Sequence, residues 1–80
     1  NNVLPGATNT ARLKSIIESK SAKSGASISE IHKAMTGAIP AGRFGEAEEI
    51  GGAIAFLCTP AADYISGINL PIDGGRTASL

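Results

Sequence analysis

The chain has 80 residues, with 7 Lys and Arg against 7 Asp and Glu, one Cys, one His and no Trp. This length allows at most one small domain. The single Cys58 excludes an internal disulfide and a multi-thiolate zinc site. A net charge of zero gives no support for nucleic-acid binding. The longest apolar run, 50–58, is far shorter than the ~20 residues that cross a bilayer, so no membrane span is predicted.

Composition also predicts a thin core. Apolar residues make up 42% of the chain, but thirteen of them are Ala, which bury little surface. A chain of this size buries only ~60% of its unfolded surface, which leaves its stability marginal. The sequence starts without Met or a leader pattern, so we expect a portion of a longer protein, and one unpaired Cys favours the cytoplasm.

The first segment predicts the end of a strand followed by a helix. Residues 1–4 are extended and stop at Pro5 and Gly6, a pair that breaks regular structure. Thr8, Asn9 or Thr10 can cap a helix with one narrow apolar stripe, formed by Leu13, Ile16 and Ile17. Ligands of parallel sheets bind at such a turn, past the carboxyl end of a strand. From spacing alone, a plain capping turn is the simpler interpretation.

A second helix follows a predicted break at 24–26. Ser27 and Glu30 fit a capping box, and Gly37 and Pro40 end the helix. Its apolar face consists of Ile28, Ile31 and Met35. Residues 1–36 carry a local charge of +3, so we interpret 11–40 as a polar lid with solvated lysines at 14, 20, 23 and 33.

The third and strongest helix prediction covers 46–58. Its acidic first turn complements the helix dipole, and Pro60 stops it. The main apolar stripe contains Ile50, Ala53, Ile54 and Leu57, and a second, small face contains Gly51, Gly52 and Ala55. We therefore expect burial on both sides, against a sheet and against another helix, such as one from a second subunit.

The last predicted element is a strand at 68–72. Ile68, Leu70 and Ile72 alternate with polar or proline positions, and residues 73–75 form a turn. Pro71 lacks an N–H, so it must lie at a sheet edge or face away from its neighbour. A strand, a long crossover and a second strand predict a parallel α/β unit.

Four stretches resemble the C-terminal third of the short-chain dehydrogenases/reductases. Residues 1–10 match the family pattern Asn-x-Val-x-Pro-Gly-x-x-x-Thr. The others are Ile39-Pro40-Ala41-Gly42-Arg43-Phe44-Gly45 leading to Glu48-Glu49-Ile50, then 56–62, and finally 64–67 continuing to 72–75. Together they span nearly the whole chain in order. Within the family, the chain resembles the 3-oxoacyl-acyl-carrier-protein reductases.

This resemblance implies the C-terminal part of a Rossmann-type, doubly wound parallel sheet within residues 1–80. Residues 1–10 would be the strand end and cofactor loop, 11–40 the substrate lid, and 41–80 the packing helix, edge strand and subunit-contact region. The loop residues Pro5, Gly6, Ala7, Thr8 and Thr10 would hold the nicotinamide end of NAD or NADP. Thr8 departs from the usual Ile or Val. A homo-oligomer, in the family a tetramer, and a small carbonyl or alcohol substrate are also implied.

The family's catalytic Ser, Tyr and Lys and its glycine-rich turn have no counterpart in these 80 residues. Tyr64 is followed four residues later by Ile68 rather than Lys, so we predict a half-buried packing role for it. We therefore predict no catalytic residue and no metal site, a solvated His32, and a buried, unreactive Cys58. Arg43 and Arg76 could pair with the acidic helix start.

Two functions remain open. The first is a part of a hydride-transferring oxidoreductase that is inactive by itself. The second is a non-catalytic interaction module that uses helix 46–58 and edge strand 68–72. A nucleic-acid-binding segment ranks last, because residues 1–43 contain no Phe, Tyr or Trp to stack on bases.

Overall fold

A computed structural model describes residues 1–77 and shows an α/β chain. The elements are strand β1 (Asn2–Pro5), helices α1 (Ala11–Ser24), α2 (Ile28–Gly37) and α3 (Ala47–Leu57), a 3-10 helix (Pro60–Ala62) and strand β2 (Asn69–Ile72). The predicted α/β class and the order of its elements are confirmed. None of the helices in the described part of the chain has the length and apolar character needed to cross a membrane.

The two strands pair in parallel, as the crossover predicted. Asn2 lies opposite Asn69 and Pro5 opposite Ile72. The carbonyls of Ile68 and Ile72 accept hydrogen bonds from Asn2 and Gly6, at 2.9 and 3.0 Å. Because backbone groups alternate in direction along a strand, the nitrogen of Pro71 points away from β1. The predicted placement of this proline is therefore confirmed.

Helices α1 and α2 begin and end where local chemistry predicted. The Thr10 hydroxyl accepts a hydrogen bond from the Leu13 amide and caps α1. Gly25 ends that helix in the left-handed conformation, with φ of 78°. Ser27 and Glu30 form the reciprocal capping box of α2.

The core is small and lies between the lid helices and the segment that follows them. Leu13, Ile17, Ile39 and Phe44 are buried and form one cluster, with Ala7, Ile31 and Met35 packed against it. The prediction of Ile16 in the buried stripe of α1 is wrong, because this side chain is 39% exposed. Leu13 and Ile17 lie one turn apart on the same face, and Ile16 lies about 100° around the helix from Ile17.

Helix α3 is open to solvent in this structure, which differs from the predicted burial on both sides. None of its residues is buried, and Ile54 and Phe56 are 46% and 48% exposed. Cys58 and Tyr64 are also exposed, so their predicted burial is wrong for the described chain. The physical reason is that, within residues 1–77, α3 packs mainly on the 3-10 helix and not on the two strands.

The chain is also elongated. Its radius of gyration is 15.2 Å, whereas a compact domain of 80 residues has about 12 Å.

Candidate functional site

The candidate site begins where β1 ends at the carboxyl edge of the parallel pair. Gly6 continues the pairing by donating its N–H to the Ile72 carbonyl at 3.0 Å. A side chain at position 6 would place its Cβ 2.7 Å from Cβ of Asp73 and 2.8 Å from its Cα. Only glycine allows this close approach. The chain can therefore leave the sheet at Pro5–Gly6 while β1 and β2 stay paired.

The loop then forms a parallel bridge with a second segment. The Gly45 N–H donates to the Ala7 carbonyl at 3.0 Å, and the Asn9 N–H donates to the Gly45 carbonyl at 2.7 Å. Since alternate backbone groups point in opposite directions, the N–H and C=O of Thr8 face away from Gly45. Among residues 1–77, neither group forms a backbone hydrogen bond. The loop therefore presents one donor and one acceptor side by side.

The two threonine hydroxyls have different partners. The Thr8 hydroxyl donates to the Gly6 carbonyl at 3.0 Å, across the turn. The Thr10 hydroxyl accepts from the Leu13 amide at 3.3 Å, which leaves its own proton available. The unpaired amides of the first turn of α1 lie beside this hydroxyl, and helix N-termini attract anions and carbonyl oxygens.

The five predicted loop residues run from the end of β1 to the N-cap of α1, and their role as cofactor ligands stays a prediction. Pro5 ends β1, and Ala7 packs half-buried against the core cluster. The sequence prediction missed Gly45, which holds the loop from the other side. It lies in the quoted 39–45 motif, but no local pattern revealed its hydrogen-bond partners, Ala7 and Asn9, which lie 38 and 36 positions earlier.

Arg43 and Glu49, on either side of Gly45 in the sequence, form an ion pair. Arg43 makes a two-pronged contact with Glu49, at 2.7 and 3.0 Å, which confirms the predicted pairing of Arg43 with the acidic helix start. The hydrogen bond from Arg43, together with the one from the Glu46 amide, lowers the pKa of Glu49 to about 2. The same hydrogen bond and the charge of Glu49 raise the pKa of Arg43. Arg76 forms no ion pair within the described chain.

The turn after β2 is fixed by Asp73. Its carboxylate accepts from the Gly75 and Thr77 amides at 3.0 and 2.9 Å. Hydrogen bonds from the Thr77 hydroxyl and from these two amides lower the pKa of Asp73. The predicted turn at 73–75 is confirmed, and the Gly74 carbonyl accepts from the Ala41 amide at 3.0 Å, which joins the turn to the segment before Gly45.

Two grooves flank the loop beneath the lid. One, of about 320 Å³, is lined by Thr10, Lys14, Ile28, His32 and Phe44 among others. His32 is exposed, as predicted, and its ring meets Phe44 edge to face at 4.9 Å between centroids. No cluster of three potential metal ligands occurs in the described residues.

The other groove has about 280 Å³ and reaches the loop directly. Its lining includes Ala7, Lys20, Met35, Phe44 and Arg76. Ala7, Met35 and Phe44 make its lining largely apolar, and the side chains of Lys20 and Arg76 are exposed. Both grooves are large enough for part of a small organic molecule.

Comparisons with known proteins agree with this geometry. A family model described as enoyl-(acyl carrier protein) reductase matches residues 1–77. A tropinone reductase homolog of Arabidopsis thaliana is 39% identical over 79 residues, which cover 99% of this chain and 23% of the relative. The chain therefore spans about a quarter of the length of this curated relative.

Solved structures show the same arrangement. A short chain dehydrogenase family protein from Francisella tularensis matches with a TM-score of 0.89 and 30% identity, over 96% of this chain and 32% of that one. An actinorhodin polyketide ketoreductase, solved with NADPH, matches with a TM-score of 0.80 and 28% identity, over 92% of this chain and 28% of that one.

Proposed function

Because the chain belongs to the short-chain dehydrogenase/reductase family, we propose that it forms the cofactor loop, lid and subunit-contact part of an NAD- or NADP-dependent oxidoreductase. The whole protein would transfer hydride between the nicotinamide and a carbonyl or alcohol substrate in the cytoplasm. The NADPH in the similar ketoreductase structure supports a nicotinamide cofactor.

The outward-facing main chain of Thr8 carries this proposal. A nicotinamide carboxamide has one carbonyl acceptor and one NH₂ donor. The Thr8 N–H and C=O offer the complementary pair, and the bridge to Gly45 holds them on the side away from that segment. A backbone contact of this kind does not depend on the Thr8 side chain, so the departure from Ile or Val leaves it intact.

Thr10 has a second role in the proposal. Its hydroxyl caps α1 through an oxygen lone pair and still has a proton to donate to the carboxamide or the pyrophosphate. The positive end of α1 favours the same negative groups. Pro5 and Gly6 set the direction of the loop, and Ala7 anchors it to the core.

When bound, the nicotinamide supplies or accepts the hydride. The chain's own residues orient it and, through the lid 11–40, limit access of water to the two grooves. No Tyr-x-x-x-Lys sequence occurs in the 80 residues, so this chain supplies no proton donor of that kind to the carbonyl oxygen.

The subunit-contact part of the proposal rests on α3. Gly51 and Gly52 are exposed, and a Cβ at either would meet no atom within 4 Å. Ile54, Phe56 and Tyr64 are exposed as well. A small, flat face next to apolar side chains fits close packing with the same helix of a second copy. We propose a homo-oligomer, a tetramer by family resemblance.

Cofactor titration of the full-length protein that carries this chain tests the function. We expect saturable binding of NADPH or NADH, followed by nicotinamide fluorescence. Thr8→Pro removes the Thr8 N–H and should weaken binding about tenfold, whereas Thr8→Ala keeps the backbone and should stay within about twofold. Absence of binding to both cofactors would overturn the proposal and favour an interaction module built on α3 and β2.

A further inference from the structure

We propose that the Arg43–Glu49 ion pair is a positioning device for the cofactor loop, acting through the two peptide groups on either side of Gly45. This inference rests on the proposed function, since it assigns the pair a role in holding the Thr8 main chain toward the nicotinamide.

The first peptide group joins Phe44 to Gly45. Its carbonyl oxygen accepts a hydrogen bond from Nη1 of Arg43 at 3.0 Å, and its N–H donates to the Ala7 carbonyl at 3.0 Å. The carbonyl and the N–H of a trans peptide lie in one plane and point in opposite directions. Arg43 therefore fixes the direction in which the Gly45 N–H reaches the loop.

The second peptide group joins Gly45 to Glu46. Its N–H donates to Oε1 of Glu49 at 3.0 Å, and its carbonyl accepts from the Asn9 amide at 2.7 Å. This plane is also held at both ends, by Glu49 on one side and by the loop on the other. The two planes together fix both hydrogen bonds that define the bridge at Thr8.

The ion pair couples the two planes. Arg43 and Glu49 contact each other through two hydrogen bonds, so neither can reorient without the other. Gly45 has no side chain that could lock its flanking planes by packing. A further contact, from Nδ2 of Asn9 to Oε1 of Glu46 at 3.3 Å, connects the loop to the start of α3.

The role is local. The Arg43 and Glu49 side chains are 59% and 43% exposed, and ion pairs this exposed contribute little to global stability. Loss of the pair should therefore disturb the loop more than the fold.

The experiment uses two ligands in the full-length protein. One is the complete reduced cofactor. The other is the matching fragment without nicotinamide, ADP-ribose for NADH or its 2′-phosphate for NADPH. For Arg43→Ala and Glu49→Gln, we expect about tenfold weaker binding of the complete cofactor and a change within about twofold for the fragment. Lys23→Ala, which removes an exposed positive charge from the last turn of α1, is the matched control and should alter neither affinity.

Two further measurements identify the mechanism. The double variant should lose no more affinity than either single variant, because the two residues act as one unit. Hydrogen exchange of the peptide that contains Asn9 should become faster in the variants, while exchange in α2 stays unchanged. Arg43→Lys keeps the charge but lacks the planar fork, so it should give a smaller loss than Arg43→Ala.

The outcomes separate this inference from the proposed function. Equal loss of affinity for both ligands, or no loss for either, would overturn the positioning role. A wild-type protein that binds neither ligand would overturn the proposed function itself. If Arg43→Ala does not fold, Arg43→Lys and Glu49→Gln provide the same comparison.

Discussion

Gly6 and Asp73 lie so close that the ends of the two parallel strands touch through their main chains. A Cβ on residue 6 would be 2.7 Å from Cβ of Asp73 and 2.8 Å from its Cα. The Cα of Asp73 belongs to the backbone, so a rotation of the Asp73 side chain could not relieve this clash. The start of the loop after β1 and the turn after β2 are therefore held together as one unit.

The Gly6→Ala change is expected to force these two segments apart. Overpacking of this kind costs about 1–3 kcal/mol, and urea unfolding of the full-length protein would measure it. Gly37→Ala, where an added Cβ meets nothing within 4 Å, should change stability by less than about 0.5 kcal/mol. Equal stability of the two variants would contradict the close contact at Asp73.

Removing the cap of α1 should destabilise this helix. Thr10→Ala deletes the acceptor for the Leu13 amide and should lower the free energy of unfolding by about 1 kcal/mol. Thr10→Ser retains the hydroxyl and should stay close to the wild type. Both are measured in the absence of cofactor by thermal or urea unfolding, and an equal loss in the two variants would exclude the capping role.

The Arg43–Glu49 pair should respond to acid. The pKa of Glu49 is about 2 in the folded chain, below its ordinary value of 4.5. A folded pKa that is lowered contributes stability that is fully present above the ordinary value and is lost as the pH falls toward 2. NMR titration of the Glu49 carboxyl carbon should show this low pKa, and Arg43→Ala should move it upward toward 4.5. An unchanged pKa in that variant would contradict the pairing.

Assembly should depend on the small face of α3. Gly52→Leu adds a large side chain to an exposed position on that face and should weaken subunit association of the full-length protein. Light scattering gives the stoichiometry. Ser19→Leu, also exposed but on α1 of the lid, is the control. Unchanged stoichiometry in Gly52→Leu would show that α3 packs elsewhere.

The 80-residue chain by itself should be catalytically silent. It contains one tyrosine, Tyr64, with Ile68 four positions later, so it lacks the family's proton-donating pair. Incubation with NADPH or NADH and simple ketones, followed by loss of nicotinamide absorbance, should show no turnover. Measurable turnover would require a proton donor that the proposal does not contain.

Local chemistry made much of the fold predictable. The capping box of Ser27 and Glu30 and the break at Gly25 depend on contacts a few residues apart, which spacing reveals directly. The alternating pattern at 68–72 likewise predicted β2 and the orientation of Pro71. The loop residues followed from a motif that resembles a family, and their role as cofactor ligands stays a prediction.

Other features depended on distant partners. Phe44 and Ile39 are buried because α1 and α2 pack over them, and no periodicity marked either residue as core. Cys58 and Tyr64 are exposed because no other segment of residues 1–77 packs over their side chains. Their local sequence could not reveal this, because burial requires a packing partner from elsewhere in the fold.

The sequence alone thus determined which residues cap the helices, which residues end them and where a strand alternates between its two faces. These are short-range effects of side chains on their own backbone. Only the tertiary structure decided which way the Thr8 main chain faces. That direction depends on the bridge to Gly45, and the bridge depends on peptide planes held by Arg43 and Glu49. These groups are more than thirty positions away along the chain, so only the folded chain brings them to the loop.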